Sequence, residues 1–209
     1  MNAQTPNSPN APNTPQFFDR MFQGDTDPWR FKTRWYESRK RALTLACLPS
    51  ARYAYGFEPG CANGELSAAL AERCDRLLCS DGSLLAVHAA RERLEGMSHV
   101  EVRQLWLPGE WPELAFDLIV ISELAYYLNA AQLDAMAASA MRSLSANGTL
   151  LACHWRHPIQ GCELRGDEVH ARLTRSLSMP HLSSHVESDF RLDVWSRDAR
   201  SVAQREGLA

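Results

Sequence analysis

The chain has 209 residues, 45% of them hydrophobic and 22% charged, which suits one α/β domain with a sizeable core. Its formal net charge of −3 gives no electrostatic case for nucleic-acid binding, and no apolar run approaches a membrane span. The six cysteines form no Cys-x-x-Cys pair and the N-terminus has no apolar signal core, so they read as reduced thiols of a cytoplasmic protein.

Residues 1–16 are of low complexity, with Pro6, Pro9, Pro12 and Pro15 at every third position and nothing apolar to pack, and read as a disordered tail. From residue 17 aromatics cluster around Asp27-Pro28, and residues 35–48 carry a helical pattern that Pro49 ends. Residues 17–50 therefore form an N-terminal lid and helix. Trp29 and Tyr36 are candidate walls of a pocket and Arg39 a candidate anion anchor, with plain capping of the core as the alternative.

The stretch from Tyr53 to Gly64, Y-A-Y-G-F-E-P-G-C-A-N-G, organises the rest. Residues 53–57 alternate aromatic and small side chains and predict a strand, with Glu58 at its tip. Gly60, Ala62 and Gly64 make a small-residue turn that lets backbone N–H groups approach a ligand. The glycine spacing does not match the G-x-G-x-x-G of a pyrophosphate-binding turn, which disfavours an NAD-dependent oxidoreductase.

Residues 65–74 predict a helix and 76–80 a second strand ending at Asp81, followed by Gly82 and Ser83. Some 23 residues separate Glu58 from Asp81, close to the interval at which an acidic residue grips ribose hydroxyls in nucleoside-binding folds. A helix over 83–95 and a strand over 100–104 follow. Leu105, Trp106 and Leu107 then offer an apolar patch that either sandwiches an adenine ring or fills core.

Residues 116–122, F-D-L-I-V-I-S, form a continuous apolar run expected of a strand buried on both faces. It delivers Ser122, Glu123, Tyr126 and Tyr127 to the carboxyl edge of the sheet. A helix over 130–145 ends at a left-handed stop, Asn147-Gly148, and a strand over 149–154 leads to His154 and Arg156. Asp167 is expected to cap a helix over 168–177, and 182–187 with 190–195 to form an antiparallel hairpin. Residues 197–209 are polar and read as frayed, leaving 51–196 as the core.

The expected architecture is α/β: a doubly wound, mostly parallel sheet with a C-terminal antiparallel hairpin. The pair spacings His154-x-x-His157 and His181-x-x-x-His185 are ligand-like but lack a clear acidic or cysteine partner, so no metal is expected.

The E-x-G-x-A-x-G run at Glu58–Gly64 resembles motif I of Rossmann-like class I S-adenosylmethionine (SAM) methyltransferases. The runs D-P-W at Asp27, Y-E-S-R at Tyr36, F-D-L-I-V-I-S-E-L-A-Y-Y-L at Phe116, H-W-R at His154 and G-D-E-V-H at Gly166 resemble the nodulation protein S family, over residues 17–195. The resemblance implies SAM as cofactor and a small polar acceptor, with N-methylation of an amino sugar or oligosaccharide behind it, in a monomer or homodimer. A SAM-binding adaptor or sensor without catalysis is the alternative. Cofactor-binding candidates are then Trp29, Tyr36, Arg39, Glu58, Gly60, Ala62, Gly64, Asp81, Gly82, Ser83, Leu105, Trp106, Leu107, Ser122 and Glu123. Glu123, His154 and Tyr127 are the catalytic candidates, and Tyr126, Tyr127, His154 and Arg156 the acceptor wall. The chain departs from the superfamily pattern at Ala62, at Gln104-Leu105-Trp106, which offers no acid to an adenine amino group, and at Asn147-Gly148-Thr149.

Overall fold

The computed structural model describes residues 14–209; the part of the expected tail at residues 1–13 lies outside them. The chain runs α1 (Pro15–Phe22), α2 (Trp35–Ala46), β1 (Gly56–Pro59), α3 (Glu65–Ala71), β2 (Leu77–Asp81), α4 (Leu84–Arg93), β3 (Val100–Gln104) and β4 (Phe116–Ser122). A 3-10 turn at Ala125–Tyr127 leads to α5 (Ala130–Ser143), β5 (Leu144–Trp155), α6 (Gly166–Leu177), β6 (His181–Val186), β7 (Phe190–Ser196) and α7 (Val202–Arg205). The seven strands make one sheet in the order β3-β2-β1-β4-β5-β7-β6. The first five pair in parallel, and β7 lies antiparallel between β5 and β6. This is the doubly wound sheet with a terminal hairpin that the alternation of elements predicts.

The central strand shows why the apolar run at 116–122 specifies it. Leu118 and Val120 enter a core built with α3 and α4, while Phe116, Ile119 and Ile121 enter a second core built with α5 and α6. All five are fully buried. Each such side chain contributes about 1.5–3 kcal/mol, and a shift of one residue would exchange the two faces.

Several boundaries differ from the sequence reading, each for a local reason. The expected tail ends sooner: the Thr14 side chain accepts from Phe17 N–H, and Pro15 sits in the first turn of α1, where its missing N–H costs nothing. β1 begins at Gly56 rather than at Tyr53. The Asp117 carboxylate takes the N–H groups of Ala54 and Tyr55 at 2.7 and 2.8 Å, which leaves Tyr53 with a single bridge to Cys74. Asn147-Gly148 is no helix stop. α5 ends at Ser143, Leu144 is extended, and both residues run within β5. A Cβ on Gly148 would lie 2.7 Å from Leu144 Cδ2, so glycine there provides room. α6 starts at Gly166 with Arg165 as its cap in place of Asp167, and Glu168 Oε2 accepts from Arg165 N–H at 2.8 Å. The tail after residue 196 is docked: from α7, Arg205 bonds Ser50 Oγ, Ser196 Oγ and the Asp198 carbonyl.

Candidate active site

The carboxyl ends of the parallel strands open onto a cavity of about 660 Å³, covered by α1, the 27–34 turn and α2. Doubly wound sheets place their ligands at this edge. Gly60, Ala62 and Gly64 all have positive φ, at 74°, 49° and 79°. Gly60 and Cys61 N–H both donate to the Ser80 carbonyl, which presses the turn onto the end of β2. Gly64 serves packing: a Cβ there would lie 3.2 Å from the Ala90 Cα of α4.

Two carboxylates stand at the strand tips. Asp81 accepts from Ala62 N–H and Ser83 N–H, each at 2.9 Å, and so joins the first turn to the second. Burial pushes it up to about 6 despite those donors. Glu58 lies deeper, 2% exposed, and its Oε2 is buried with no hydrogen-bond partner. Burial pushes it up to about 8; the Ser67 hydroxyl and Cys79 thiol offset this only in part. Native structures leave few such buried oxygens unmet.

The elements that cover the cavity are fastened at three places. Asp27 accepts from Phe31 N–H and Lys32 N–H, which builds the 27–34 turn, and takes a third bond from Asn63 Nδ2 at 2.9 Å. The D-P-W run is thus a turn clasped to the turn after β1. Ser83 Oγ donates to Asp19 of α1 at 2.6 Å, and Phe18 meets Tyr127 edge to face at 4.9 Å.

The third fastening is Lys40. Its Nζ is 2.7 Å from Glu123 Oε1 and 3.1 Å from Glu37 Oε2, and 5.1 Å from the Tyr36 ring centroid. Burial alone would lower its affinity for the proton; the Glu123 and Glu37 carboxylates outweigh that and hold the ammonium charged. Glu123 Oε2 also accepts from Tyr126 Oη at 2.6 Å and Trp155 N–H at 2.9 Å. All these partners converge on a residue at φ 53°, a conformation costing about 1–3 kcal/mol in a non-glycine residue. Burial raises Tyr126 and Tyr127, so both phenols are donors at neutral pH.

Most of the expected site residues line this cavity: Trp29, Tyr36, Glu58, Gly60, Ala62, Asp81, Gly82, Leu105, Trp106, Leu107, Ser122, Glu123, Tyr126 and Tyr127. Trp106 lines the cavity and lies against Gly82, where a Cβ would fall 2.3 Å from its ring. Five expected residues are not among the lining. Gly64 packs on α4, and Ser83 caps α4 by accepting from Ala86 N–H. Arg39 points away and pairs with Glu187 at 2.7 Å. Arg156 is held by Asp167 and the Glu187 carbonyl. His154 is wholly buried beneath the wall, and its Nε2 accepts from Ala125 N–H.

The cavity also holds residues that the sequence did not single out. Arg34, Lys40 and Arg41 are the cations of the lining, in place of Arg39, and Glu37, Phe18 and Asn63 line it too. The i,i+3 spacing of Glu37 and Lys40 was visible, but nothing in a helix pattern marks a lysine as buried. Among the described residues no group of three or more metal-ligating side chains could hold an ion, and no helix is long and apolar enough to cross a membrane.

Known proteins resemble the chain at three levels. The family model for nodulation protein S (NodS) matches residues 13–183. A nodulation protein S from Rhizobium tropici is 30% identical over 142 residues, 65% of this chain and 58% of that protein, so the chain spans under two thirds of this curated relative. A crystallised Pseudomonas syringae protein, proposed to be a methyltransferase, is 57% identical, with a TM-score of 0.71 over 78% of this chain and 99% of that one. The N-methyltransferase NodS from Bradyrhizobium japonicum WM9, solved with S-adenosyl-L-homocysteine, is 26% identical, with a TM-score of 0.80 over 88% of this chain and 98% of that one. The fold is thus the Rossmann-like class I methyltransferase fold. With its model matched over most of the length, the chain belongs to the nodulation protein S family.

Proposed function

We propose that this protein is a SAM-dependent methyltransferase acting on a small polar acceptor, with the amine of an amino sugar or oligosaccharide as the favoured class. The observation that carries the reading is Glu58, a buried lining carboxyl whose Oε2 has no partner, beside Asp81 at the next strand tip. A cofactor with a sulfonium, an ammonium and a ribose diol matches those two groups. Asp81 keeps lone pairs for the ribose, Trp106 and Leu107 would flank the adenine, and Arg34 or Arg41 would meet the methionyl carboxylate. The aromatic faces of Trp29, Tyr36 and Tyr127 favour a cation.

The cofactor would supply an activated methyl group, leaving the protein to align donor and acceptor and to exclude water. The lid aromatics exclude water. Tyr127, Gln132 and Asp189 offer polar contacts to an acceptor. Glu123 is engaged by Lys40, Tyr126 and Trp155 N–H, so it shapes the acceptor wall and orients Tyr126 more than it takes a proton. An amine acceptor would then enter neutral.

The engaged Glu123 and buried His154 also give support to a second reading, SAM binding without turnover. One experiment separates them. SAM, and not NAD, should raise the melting temperature, and SAM with an amino-sugar panel should yield methylated product. A shift without product on amines, catechols or carboxylates favours the binding protein; a shift with NAD alone defeats both.

A further inference from the structure

The H-W-R and G-D-E-V-H runs interlock, and of their residues only Trp155 lines the cavity. Gly166 allows α6 to abut β5: a Cβ there would lie 2.3 Å from the Trp155 carbonyl oxygen. Arg156 binds Asp167 at 2.9 Å. Inside this clamp His154 Nδ1 lies 3.1 Å from His170 Nε2, and His170 Nδ1 lies 2.6 Å from Asp193 Oδ2. His154, His170 and Asp193 are all 0% exposed.

The direction of this chain follows from its one fixed end. Ala125 N–H can only donate, so His154 Nε2, 3.2 Å away, is an acceptor without a proton. The His154 proton then sits on Nδ1 and is donated to His170 Nε2. The His170 proton sits on Nδ1 and is donated to Asp193. Every buried atom of the chain is satisfied in this one arrangement, with both imidazoles neutral. Protonating His154 Nε2 would set a donor against the Ala125 N–H.

The groups facing the chain fit that state. Burial lowers both histidines, and the His170 imidazole and Lys40 of α2 further disfavour charge on His154. Asp193 pulls the other way on both, and Asp167 does so on His170, whereas Arg191 disfavours charge there. Burial would raise Asp193, but bonds from His170, Ser184 and Arg191 hold it well below the ordinary carboxylate range; His181 adds a further contact.

We infer that His154 and His170 are positioning residues: anchored on Asp193, they fix the Ala125 backbone and so hold the turn that presents Tyr126 and Glu123 to the cavity. The inference rests on the methyltransferase reading for its consequence, but not for its wiring. Tyr126 follows Ala125 directly, its ring is 5.5 Å from that of His154, and its hydroxyl bonds Glu123. Turnover should therefore depend on the chain more than SAM affinity does.

The test begins with the wild-type protein. Nitrogen-15 NMR of the imidazoles should show His154 and His170 as neutral Nδ1–H tautomers from pH 8 to pH 5.5; an Nε2–H tautomer at His154, or charge on it near pH 6.5, would overturn the wiring. Variants then separate positioning from packing. His154→Asn keeps a donor toward His170 but leaves Ala125 N–H unpaired, while His154→Gln carries its amide near the Nε2 position. With SAM and a free-amine glucosamine oligosaccharide as probes, His154→Asn should lose tenfold or more in kcat with SAM Kd within about twofold. His154→Gln should recover much of that loss. Equal losses in both variants that track melting temperature and SAM affinity would reduce the chain to packing. If wild type methylates no amine probe, the amine acceptor class fails, and Ala125 amide exchange still decides: it should quicken in His154→Asn more than in His154→Gln, and equal rates would overturn the inference.

Discussion

Lys40 Nζ and Glu123 Oε1 meet at 2.7 Å across 83 residues of sequence, joining helix α2 to the tip of the central strand β4. Both side chains are largely withdrawn from water, at 8% and 18% exposure, with Glu37 completing the cluster. Removing one member of such a cluster strands the others. Lys40→Met should destabilise the protein by about 3–5 kcal/mol, measured by urea unfolding. The double variant Lys40→Met/Glu123→Gln should recover part of that loss, and an additive double loss would show that the pair is not coupled.

Glu58 should set the pH dependence of SAM binding. Without a ligand beside it, Glu58 holds its proton up to about pH 8, because burial disfavours the carboxylate. A cationic ligand favours the ionised form, so binding below that pH should release a proton into solution. SAM affinity should rise by up to about tenfold per pH unit and level off above pH 8. Calorimetry in two buffers of different ionisation enthalpy reads the released proton directly, and Glu58→Gln should abolish it. The stability sign is opposite: the folded value is raised from 4.5, so the contribution of Glu58 to stability is full below that pH and is lost as pH climbs through about 8.

Asp81→Ala should weaken SAM binding by about 1.5–3 kcal/mol, the scale of a charge-assisted hydrogen bond. The variant also frees the Ala62 and Ser83 N–H groups, which water can reach at the cavity floor. Unchanged affinity in a folded variant, read by calorimetry, would mean that the nucleoside lies elsewhere.

Gly82→Ala places a methyl group inside the Trp106 ring, so the indole has to move. SAM affinity should fall about tenfold, or 1.4 kcal/mol, with Trp106 fluorescence altered and melting little changed. An unaltered Kd would take Trp106 out of the adenine wall.

Deleting residues 1–13 should leave binding intact, since α1 keeps its Thr14 cap and Pro15. Deleting through Gln16, the boundary suggested by composition, removes both and should weaken binding. Deleting through Arg34 takes away Phe18, Phe22 and Trp29 and should abolish it. Equal SAM affinity in all three folded proteins would count against the lid.

β3 and β4 have the bounds that the sequence suggests, because a strand's alternation or unbroken apolar run is written locally. The motif I turn was legible for the same reason: positive φ at Gly60 and Gly64 calls for glycine. What stayed hidden depends on partners distant in sequence. Arg39, Lys40 and Arg41 are three consecutive cations, yet only Lys40 meets two carboxylates, Glu37 and Glu123. His154 looked like a catalytic base at a strand end, but β5 is buried on both faces there, and alternation cannot say which side chains reach a cavity. Pro15 suggested a tail by composition, although the first turn of a helix accepts proline.

The covering over the cavity is tied to three separate strand-end loops, through Asp27 to Asn63, Asp19 to Ser83 and Lys40 to Glu123. Each tie joins a residue of the N-terminal 40 to one that lines the cavity or abuts a residue that does. Parting of these contacts would widen the way in and out of the cavity, so the three ties would bear on how fast a cofactor exchanges. Residence time, more than equilibrium affinity, is the quantity that loosening any one tie should change first.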